Sequence, residues 1–431
     1  MLKRTHYTNE LKGCVGKNVV LSGWCHDVRD LGGINFILLR DKEGIVQITA
    51  SKDKTPEKII EICRKLHQED VISIKGKVVK NKNAPGGLEI ILEEIEVINT
   101  SEPLLPLDPR LVTKSSLNTQ LDWRFLYFRT KEARAIFKIQ AQILKSFRNF
   151  LIKKNYMEIQ PPVIIASASE GGAELFTLPY FEKQAYLAQS PQLYKQIAAI
   201  SFEKVFMVVP VFRAEKFDQP THLNEVRQMD IEEAFADDKD VMRVLENCLA
   251  VIVEEVRRNC KKELKVLGRE LNSVELPLKR VTYTEAVETI KKEGEKMEWG
   301  EDFTKTQEKI LSQKFGEGFF IVDWPSEIKA FYAMPYEDNP KICKAFDLIY
   351  NGIEIASGTQ RIHLPELLIS RLKEKGLNPE NFKFYIDCFR YGAPPHAGWS
   401  IGLERITMAI TGRANIREVT MFPRDRSRIF P

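Results

Sequence analysis

The order of apolar and polar positions divides the chain into two stretches of different character. Residues 18 to about 100 alternate over short runs, "NVVLSGWCHDV", "INFILLRD", "GIVQITA", "DVISIKGKVVK" and "LEIILEEIEVIN", with one helix-like stretch near 56 to 67. Five strands and one helix at this spacing predict a small β-barrel. "TSEPLLPLDPRLVTKSS" follows, and its prolines can continue neither a helix nor a central strand, so it reads as a linker. From about residue 131 the period changes: Ile136, Ile139, Ile143, Phe147, Phe150 and Leu151 form one apolar stripe, as on a helix with one buried face. Strands and helices then alternate irregularly to the end, without internal repeat or low-complexity segment, and the stretch from about 240 to 335 offers few assignable sites.

Two hairpins are legible in the pattern. In "INFILLRDKEGIVQITA" the residues "DKEG" make a loop that pairs Arg40 with Ile45 and Leu38 with Gln47. Phe36 and Gln47 then lie diagonally on one face, since opposed residues share a face and the side-chain period is two. An aromatic plane beside an amide can hold an unpaired base by stacking and an edge hydrogen bond, although an aromatic residue in a strand more commonly packs in a core. In "AFDLIYNGIEIASGTQRIH" the pair Asn351-Gly352 signals a two-residue turn, because both central residues of a type I′ turn need positive φ. Counting outward, Tyr350 opposes Ile353, Ile349 opposes Glu354 and Asp347 opposes Ala356, which sets Asp347 and Glu354 diagonally on one face. Two carboxylates so close repel unless a cation lies between them, and hard oxygen ligands suit magnesium. Arg361, seven residues after Glu354, can grip an anionic group bidentately.

Composition narrows the class without naming a partner. With 431 residues and 43% hydrophobic content the chain can bury a sizeable core in two or three domains, and 64 basic against 60 acidic residues leave a formal charge of only +4. The seven cysteines are odd in number, scattered and never spaced C-x-x-C, which suggests neither disulfides nor a zinc site and fits a reducing cytoplasm. The N-terminal "MLKRTHYTNELKG" lacks the apolar core of a signal peptide, and no apolar run is long enough to cross a bilayer, so no membrane partner is expected. Neither a G-x-x-x-x-G-K-[ST] loop nor a G-x-G-x-x-G fingerprint occurs; a bound nucleotide would be held by arginines and metal instead of a glycine cradle.

Three further segments concentrate charge. In "VFMVVPVFRAEKFDQPTHLNEVRQMDIEEAF" an apolar strand ends in Arg213 and Glu215, and a return strand sets Gln228, Asp230 and Glu232 at spacing two, so an antiparallel pair presents one charged face. In "QSPQLYKQ" Ser190 can cap a helix with Pro191 in its first turn, and Gln192 and Lys195 project on one side. In "GWSIGLERITMAITG" Arg405 interrupts a helix that otherwise reads as buried.

Taken in order, these segments resemble the three motifs of class II aminoacyl-tRNA synthetases, in particular the archaeal-type aspartyl-tRNA synthetases. The helix ending in "NYMEIQPPVI", with Pro162, resembles motif 1; "VFRAE" through "QMDIEEAF" resembles motif 2; "GAPPHAGWSIGLERI" resembles motif 3. The resemblance implies an α+β chain: an N-terminal OB-fold β-barrel for the anticodon over residues 1–103, a hinge over 104–130, and a class II catalytic domain over 131–431, an antiparallel sheet flanked by helices. Motif 1 would occupy about 136–163, motif 2 about 205–235 and motif 3 about 392–412.

The implied substrates are ATP, L-aspartate and tRNA(Asp), with Mg2+ as cofactor and a homodimer formed through motif 1. Arg213, Glu354 and Arg405 would be the catalytic residues. Arg213, Glu215, His222, Glu354, Gly402 and Arg405 would bind ATP, Gly402 by letting nucleotide and backbone approach closely. Asp347, Glu354 and Ser357 match metal-associated positions. Glu170, Gln192, Lys195, Asp230, Ser357 and Arg361 would surround aspartate, with Lys195 and Arg361 offering two positive charges to its side chain. The loop "SASEGGAEL" resembles the family's lid. In the barrel His26, Arg29, Phe36, Gln47 and Pro85 match anticodon-binding positions. Relatives that also charge tRNA(Asn) tend to carry Trp and Lys where this chain has His26 and Pro85, which implies a preference for tRNA(Asp). A non-discriminating ligase for both transfer RNAs is the alternative; an asparaginyl enzyme, an inactive RNA-binding paralogue and an asparagine-forming paralogue are further rivals. Val226 departs from the family where many members place an aromatic ring against adenine.

Overall fold

The computed structural model describes residues 2–112, 114–166, 175–216 and 219–431, and no helix among them is long and apolar enough to cross a membrane. The chain divides into two compact units, Met1–Lys114 and Ser115–Pro431.

In the first unit five strands close into a barrel: β1 (Asn18–Asp30), β2 (Ile34–Arg40), β3 (Ile45–Ser51), β4 (Val71–Lys80) and β5 (Leu88–Asn99), in the order β1-β2-β3-β5-β4. Alternation puts Leu21, Ile37, Leu39, Ile48 and Ile74 inside, where the helix α1 (Glu57–Arg64) adds Ile60 and Cys63. The β2–β3 register is the expected one, Arg40 opposite Ile45 and Leu38 opposite Gln47. Phe36 is not a core residue. It is half-buried between the buried Asn35 and Ile37, on the outer face of the barrel with Gln47. Gly23 is required where β1 meets the end of β2, because a Cβ there would lie 2.3 Å from the Arg40 carbonyl oxygen.

The second unit is built on an eight-stranded sheet. Its strands are β6 (Met157–Glu158), β7 (Lys204–Phe212), β8 (Glu225–Ala234), β9 (Lys279–Thr282), β10 (Gly318–Pro325), β11 (Ile342–Tyr350), β12 (Ile353–Gln360) and β13 (His396–Gly402), in the order β9-β10-β11-β12-β13-β8-β7-β6. Every pairing is antiparallel except at the two edges, β9–β10 and β7–β6. One face carries Phe206, Met229, Ile231, Leu348, Trp399 and Ile401 into a core with three helices, α2 (Lys131–Lys153), α4 (Asp238–Asn259) and α5 (Leu403–Thr411). All six residues of the apolar stripe on α2 are buried, five of them, from Ile139 to Leu151, in this core. The helix α3 (Gln192–Phe202) lies over the opposite face, against β7, β8 and β13. The region expected as a hinge contains two short helices, Leu117–Asp122 and Arg124–Tyr127, which belong to the second unit. Buried Arg124 fixes them by donating to the carbonyl oxygens of Arg417, Thr420 and Met421.

Candidate active site

The uncovered face of the sheet follows from the period of two. With Met229 and Ile231 committed to the core, Gln228, Asp230 and Glu232 of β8 point the other way, as do Ser400 and Gly402 of β13. Gly398 is a glycine because a Cβ at that point would stand 2.2 Å from Glu232 Oε2. Arg213 and Glu215 lie just past the end of β7, where Asn224 holds the backbone: its side-chain amide donates to the carbonyl oxygens of Arg213 at 2.7 Å and Glu215 at 3.0 Å. Arg213, Glu215, His222, Glu354, Ser357, Gly402 and Arg405, which no local pattern connects, line one cavity of about 410 Å³. Val226 lines it too, beside His222, and so does Asp302 from the stretch in which the sequence showed no site.

Arg405 enters from the first turn of α5 and bonds to Glu354, Nη1 lying 3.2 Å from Oε1 and 3.2 Å from the carbonyl oxygen. The Arg213 guanidinium makes no ion pair among the described residues. Burial pushes the His222 imidazole down to about 4, and Arg405, Lys305 and Arg213 push in the same direction, so the ring is a neutral hydrogen-bonding group. Burial pushes Glu404, which accepts from the Arg227 amide, up to about 7.

The hairpin after β11 turns at Asn351 and Gly352, both at positive φ, as expected. Its register departs from the sequence count beyond Glu354. A bulge leaves Ile355 without an opposite partner, so Leu348 opposes Ala356 and Asp347 opposes Ser357, not Ala356. The core explains the irregularity: Ile355 and Ala356 are both buried against it, which strict alternation forbids, and the extra residue turns Ser357 onto the face of Asp347. Asp347 is 4% exposed, and burial pushes its carboxyl up to about 6 against the pull of Lys329, which donates to Oδ2 at 2.6 Å. Oδ1 of the same carboxylate is buried without a hydrogen bond among the described residues. Two carboxylates, one with an orphaned oxygen, and a hydroxyl fit a magnesium ion that takes its remaining oxygens from phosphates and water. Lys329, resting 3.6 Å over the Trp324 ring, was not foreseen; nothing in "SEIKAFY" marks a lone lysine as the neighbour of a carboxylate 18 positions on.

Beside the cavity lies a buried ionic cluster. Lys195 is 1% exposed and donates to Asp230 Oδ1 at 2.7 Å, while Arg361 bonds bidentately to Glu232 at 2.8 and 3.0 Å. Lys195 is also 3.6 Å from Glu232 Oε2. Complete burial would raise Glu232, but Arg361 and then Lys195 outweigh it and hold the carboxyl below its ordinary range. Both cations expected to face the aspartate side chain thus have protein partners: Lys195 is engaged, and of Arg361 only Nη1 makes no hydrogen bond among the described residues. Glu232 stood on the charged face in the sequence without a role; it is the partner of both cations. The helix α3 begins at Gln192 with Pro191 as its cap, one residue later than expected, and Ser190 Oγ accepts from the Gln192 amide at 3.4 Å. Gln192 is buried and donates to Gln196, itself bonded to His396 and Tyr385. Glu170 and the loop expected as a lid lie outside the described residues.

In the barrel Gln47 donates to Glu89 at 3.0 Å, exposed Arg29 pairs with Asp27 at 3.0 Å, and Pro85 is exposed in the loop between β4 and β5. Asp27, Leu38, Gln47 and Glu89 oppose one another in turn across four strands, a span of about 14 Å, so His26 and the Pro85 loop flank the Phe36–Gln47 face.

An antiparallel sheet backed by helices, with an arginine-lined cavity and a buried ionic pocket side by side on its open face, defines a class II aminoacyl-tRNA synthetase. Residues 116–426 match the family of class II tRNA synthetases for D, K and N, and residues 19–98 match the OB-fold nucleic acid binding domain. The chain is 48% identical over its full length to the aspartate–tRNA(Asp/Asn) ligase of Methanocaldococcus jannaschii, covering 98% of that protein. It is 47% identical to the aspartate–tRNA(Asp) ligase of Pyrococcus abyssi, over 99% of this chain and 100% of the other. Among solved structures it matches the asparaginyl-tRNA synthetase of Pyrococcus horikoshii complexed with asparaginyl-adenylate, with TM-score 0.96, 34% identity and complete coverage of both chains. The chain belongs to the family of archaeal aspartate–tRNA ligases.

Proposed function

We propose that this chain activates L-aspartate with ATP and transfers it to the 3′ end of tRNA(Asp), in preference to tRNA(Asn). The observation that carries the reading is the adjacency of the two sites: an arginine-lined cavity for the triphosphate opens beside buried Arg361, whose Nη1 can take the side-chain carboxylate. The attacking α-carboxylate is already ionised, so no side chain need act as nucleophile or strong base, and catalysis is positioning plus electrostatics. Arg213 meets the α-phosphate, where charge develops as pyrophosphate leaves; Arg405, drawn from Glu354, meets the departing end. Magnesium held by Asp347, Glu354 and Ser357 would supply further neutralisation of the phosphates. Asp230, with Ser400 Oγ donating to its Oδ2 at 3.1 Å, faces the α-ammonium group. Asparagine matches aspartate in shape, so rejection rests on charge: its amide would set an N–H group against a buried guanidinium.

The test is exchange of pyrophosphate into ATP, expected with aspartate and not with asparagine; exchange with asparagine would remove the substrate assignment. The choice of transfer RNA rests on His26 and Pro85 flanking the anticodon face. Dimerisation through motif 1 is supported by exposed Ile152, Met157 and Ile164 around Pro162 and by the open edge of β6.

Gly402 gives a clean probe of nucleotide contact. The three atoms nearest a Cβ there all belong to the Arg405 side chain, at an ordinary 3.6 to 3.7 Å, and its φ of −72° suits any residue. Gly402→Ala should fold normally and raise the KM for ATP about tenfold or more, one lost close approach being worth roughly 1–3 kcal/mol. An unchanged KM would show that nucleotide does not touch this backbone.

A further inference from the structure

A buried carboxylate that the reaction chemistry does not use stands beside the arginine-lined cavity. Glu308, in the first turn of the helix Lys305–Phe315, is 3% exposed. The helix lies against β10, β11 and β12. Its start is fixed by Thr304 and Gln307, each side chain accepting from the other's main-chain amide, at 3.3 and 2.8 Å. The two oxygens of Glu308 have different partners. Oε2 accepts from the Glu354 amide at 3.2 Å, and Oε1 accepts from Lys305 Nζ at 2.6 Å. The Glu354 main chain is therefore held at both ends, its amide by Glu308 and its carbonyl oxygen by Arg405 Nη1 at 3.2 Å. A carboxylate taken out of water costs free energy even when paired, so its role is sought in what it positions.

Lys305 keeps 40% of its side-chain surface exposed, against 4% for Glu308. It also reaches toward the cavity. After burial and Arg405, its charge is the next cause of the lowered His222 imidazole, ahead of Arg213, and both His222 and Arg213 line the cavity. Asp302, from the turn before the helix, lines it too. Glu308 ties Lys305 to Glu354, at the end of the cavity given to the departing phosphates. An ammonium has three donors on a flexible stem, so it can keep one bond to Glu308 and turn the others to phosphate oxygens. We propose that Lys305 is a further ligand of ATP, taking its terminal phosphate, and that Glu308 is a positioning residue that sets this ammonium and the Glu354 main chain from one buried group. The proposal rests on the reading of the cavity as the ATP site. A lysine loose on the surface would lose rotamer freedom on meeting the phosphate. One already held by Glu308 has lost much of it, so the contact adds more to binding. The terminal phosphate departs within pyrophosphate, so the same ammonium serves the reverse step, in which pyrophosphate enters.

The experiment follows pyrophosphate exchange by the full-length protein, together with protection of the fold against heat by ATP and by AMP, which lacks the outer phosphates. Lys305→Ala should raise the KM for ATP and for pyrophosphate about tenfold, the worth of one hydrogen bond to a charged group, and leave the KM for aspartate unchanged. Protection by ATP should weaken in this variant while protection by AMP does not. Lys305→Arg, which keeps the charge, should retain most of the affinity for ATP. Glu308→Gln keeps an oxygen for the Glu354 amide but sets an N–H group against the ammonium, so it should raise the KM for ATP in the same way. Lys305→Ala/Glu308→Gln should be no worse than Lys305→Ala, because the two residues act on ATP through one contact. Wild-type protein that ATP does not protect would remove the reading of the cavity itself. An unchanged KM for ATP in Lys305→Ala, or equal weakening of ATP and AMP, would overturn Lys305 as the ligand of the terminal phosphate. Losses that add in the double variant would overturn Glu308 as its positioning residue.

Discussion

Arg361→Ala is expected to cut aspartate-dependent exchange of pyrophosphate into ATP at least thirtyfold and, in the same variant, to lower the midpoint of thermal unfolding. The two losses have separate causes. Activity falls because the proposed reading assigns Nη1 of Arg361 to the substrate's side-chain carboxylate, the other arm and Nε being taken by Glu232. Losing a buried charged hydrogen bond costs about 2–5 kcal/mol, or from thirtyfold to several thousandfold in kcat/KM. Stability falls because Glu232 is 0% exposed and would keep its charge with only Lys195 nearby, at 3.6 Å, and an abandoned buried carboxylate costs roughly 3–5 kcal/mol. Removing both partners separates the effects. Arg361→Ala/Glu232→Gln should recover most of the unfolding midpoint while exchange stays at the level of the single variant. Retained exchange in either variant would mean that Arg361 does not hold the substrate, and an unchanged midpoint in the single variant would mean that the pair is not buried in solution.

That result also shows where sequence reasoning stopped. The barrel, the register of β2 and β3, the stripe on α2 and the turn at Asn351-Gly352 were legible because each depends on local periodicity or turn chemistry. Local rules also put Asp230 and Glu232 on one face. They could not say that Glu232 would meet Arg361, because the two lie 129 positions apart and only the order of strands in the sheet joins them. The count from Asn351-Gly352 failed at Asp347 for a related reason: the core takes both Ile355 and Ala356, and the strand bulges to supply them. Lys329 and Asp302 were missed because each is a single charged residue in a segment without pattern, the first brought to Asp347 and the second to the cavity only by the folding of the chain. Phe36 was ambiguous from alternation alone. A strand position can face in or out, and only closure of the barrel decided it.

Arg213 tests the electrostatic half of the mechanism. Its backbone is fixed on both sides, the amide donating to the Asn224 carbonyl oxygen at 2.9 Å and the carbonyl accepting from the Asn224 side chain at 2.7 Å. Its guanidinium lines the cavity without an ion pair among the described residues, so no carboxylate is abandoned when it is removed. Arg213→Ala should therefore leave the unfolding midpoint within about 1 °C, the size expected of a partly exposed site that breaks no buried network. In a water-poor site a fixed donor aimed at developing charge is worth about 3–4 kcal/mol, so kcat for pyrophosphate exchange should fall roughly 100- to 1,000-fold. Aspartate binding, followed separately by its protection of the fold against heat, should survive, because the proposed reading gives the aspartate side-chain carboxylate to Arg361 and not to Arg213. The contrast with Arg361→Ala is the point. One cation is built into the fold through Glu232 and the other makes no ion pair among the described residues, and only the first should carry a stability cost. A kcat within a few fold of wild type would place the reacting phosphorus away from Arg213 and would require a different cation, with Arg405 as the next to examine.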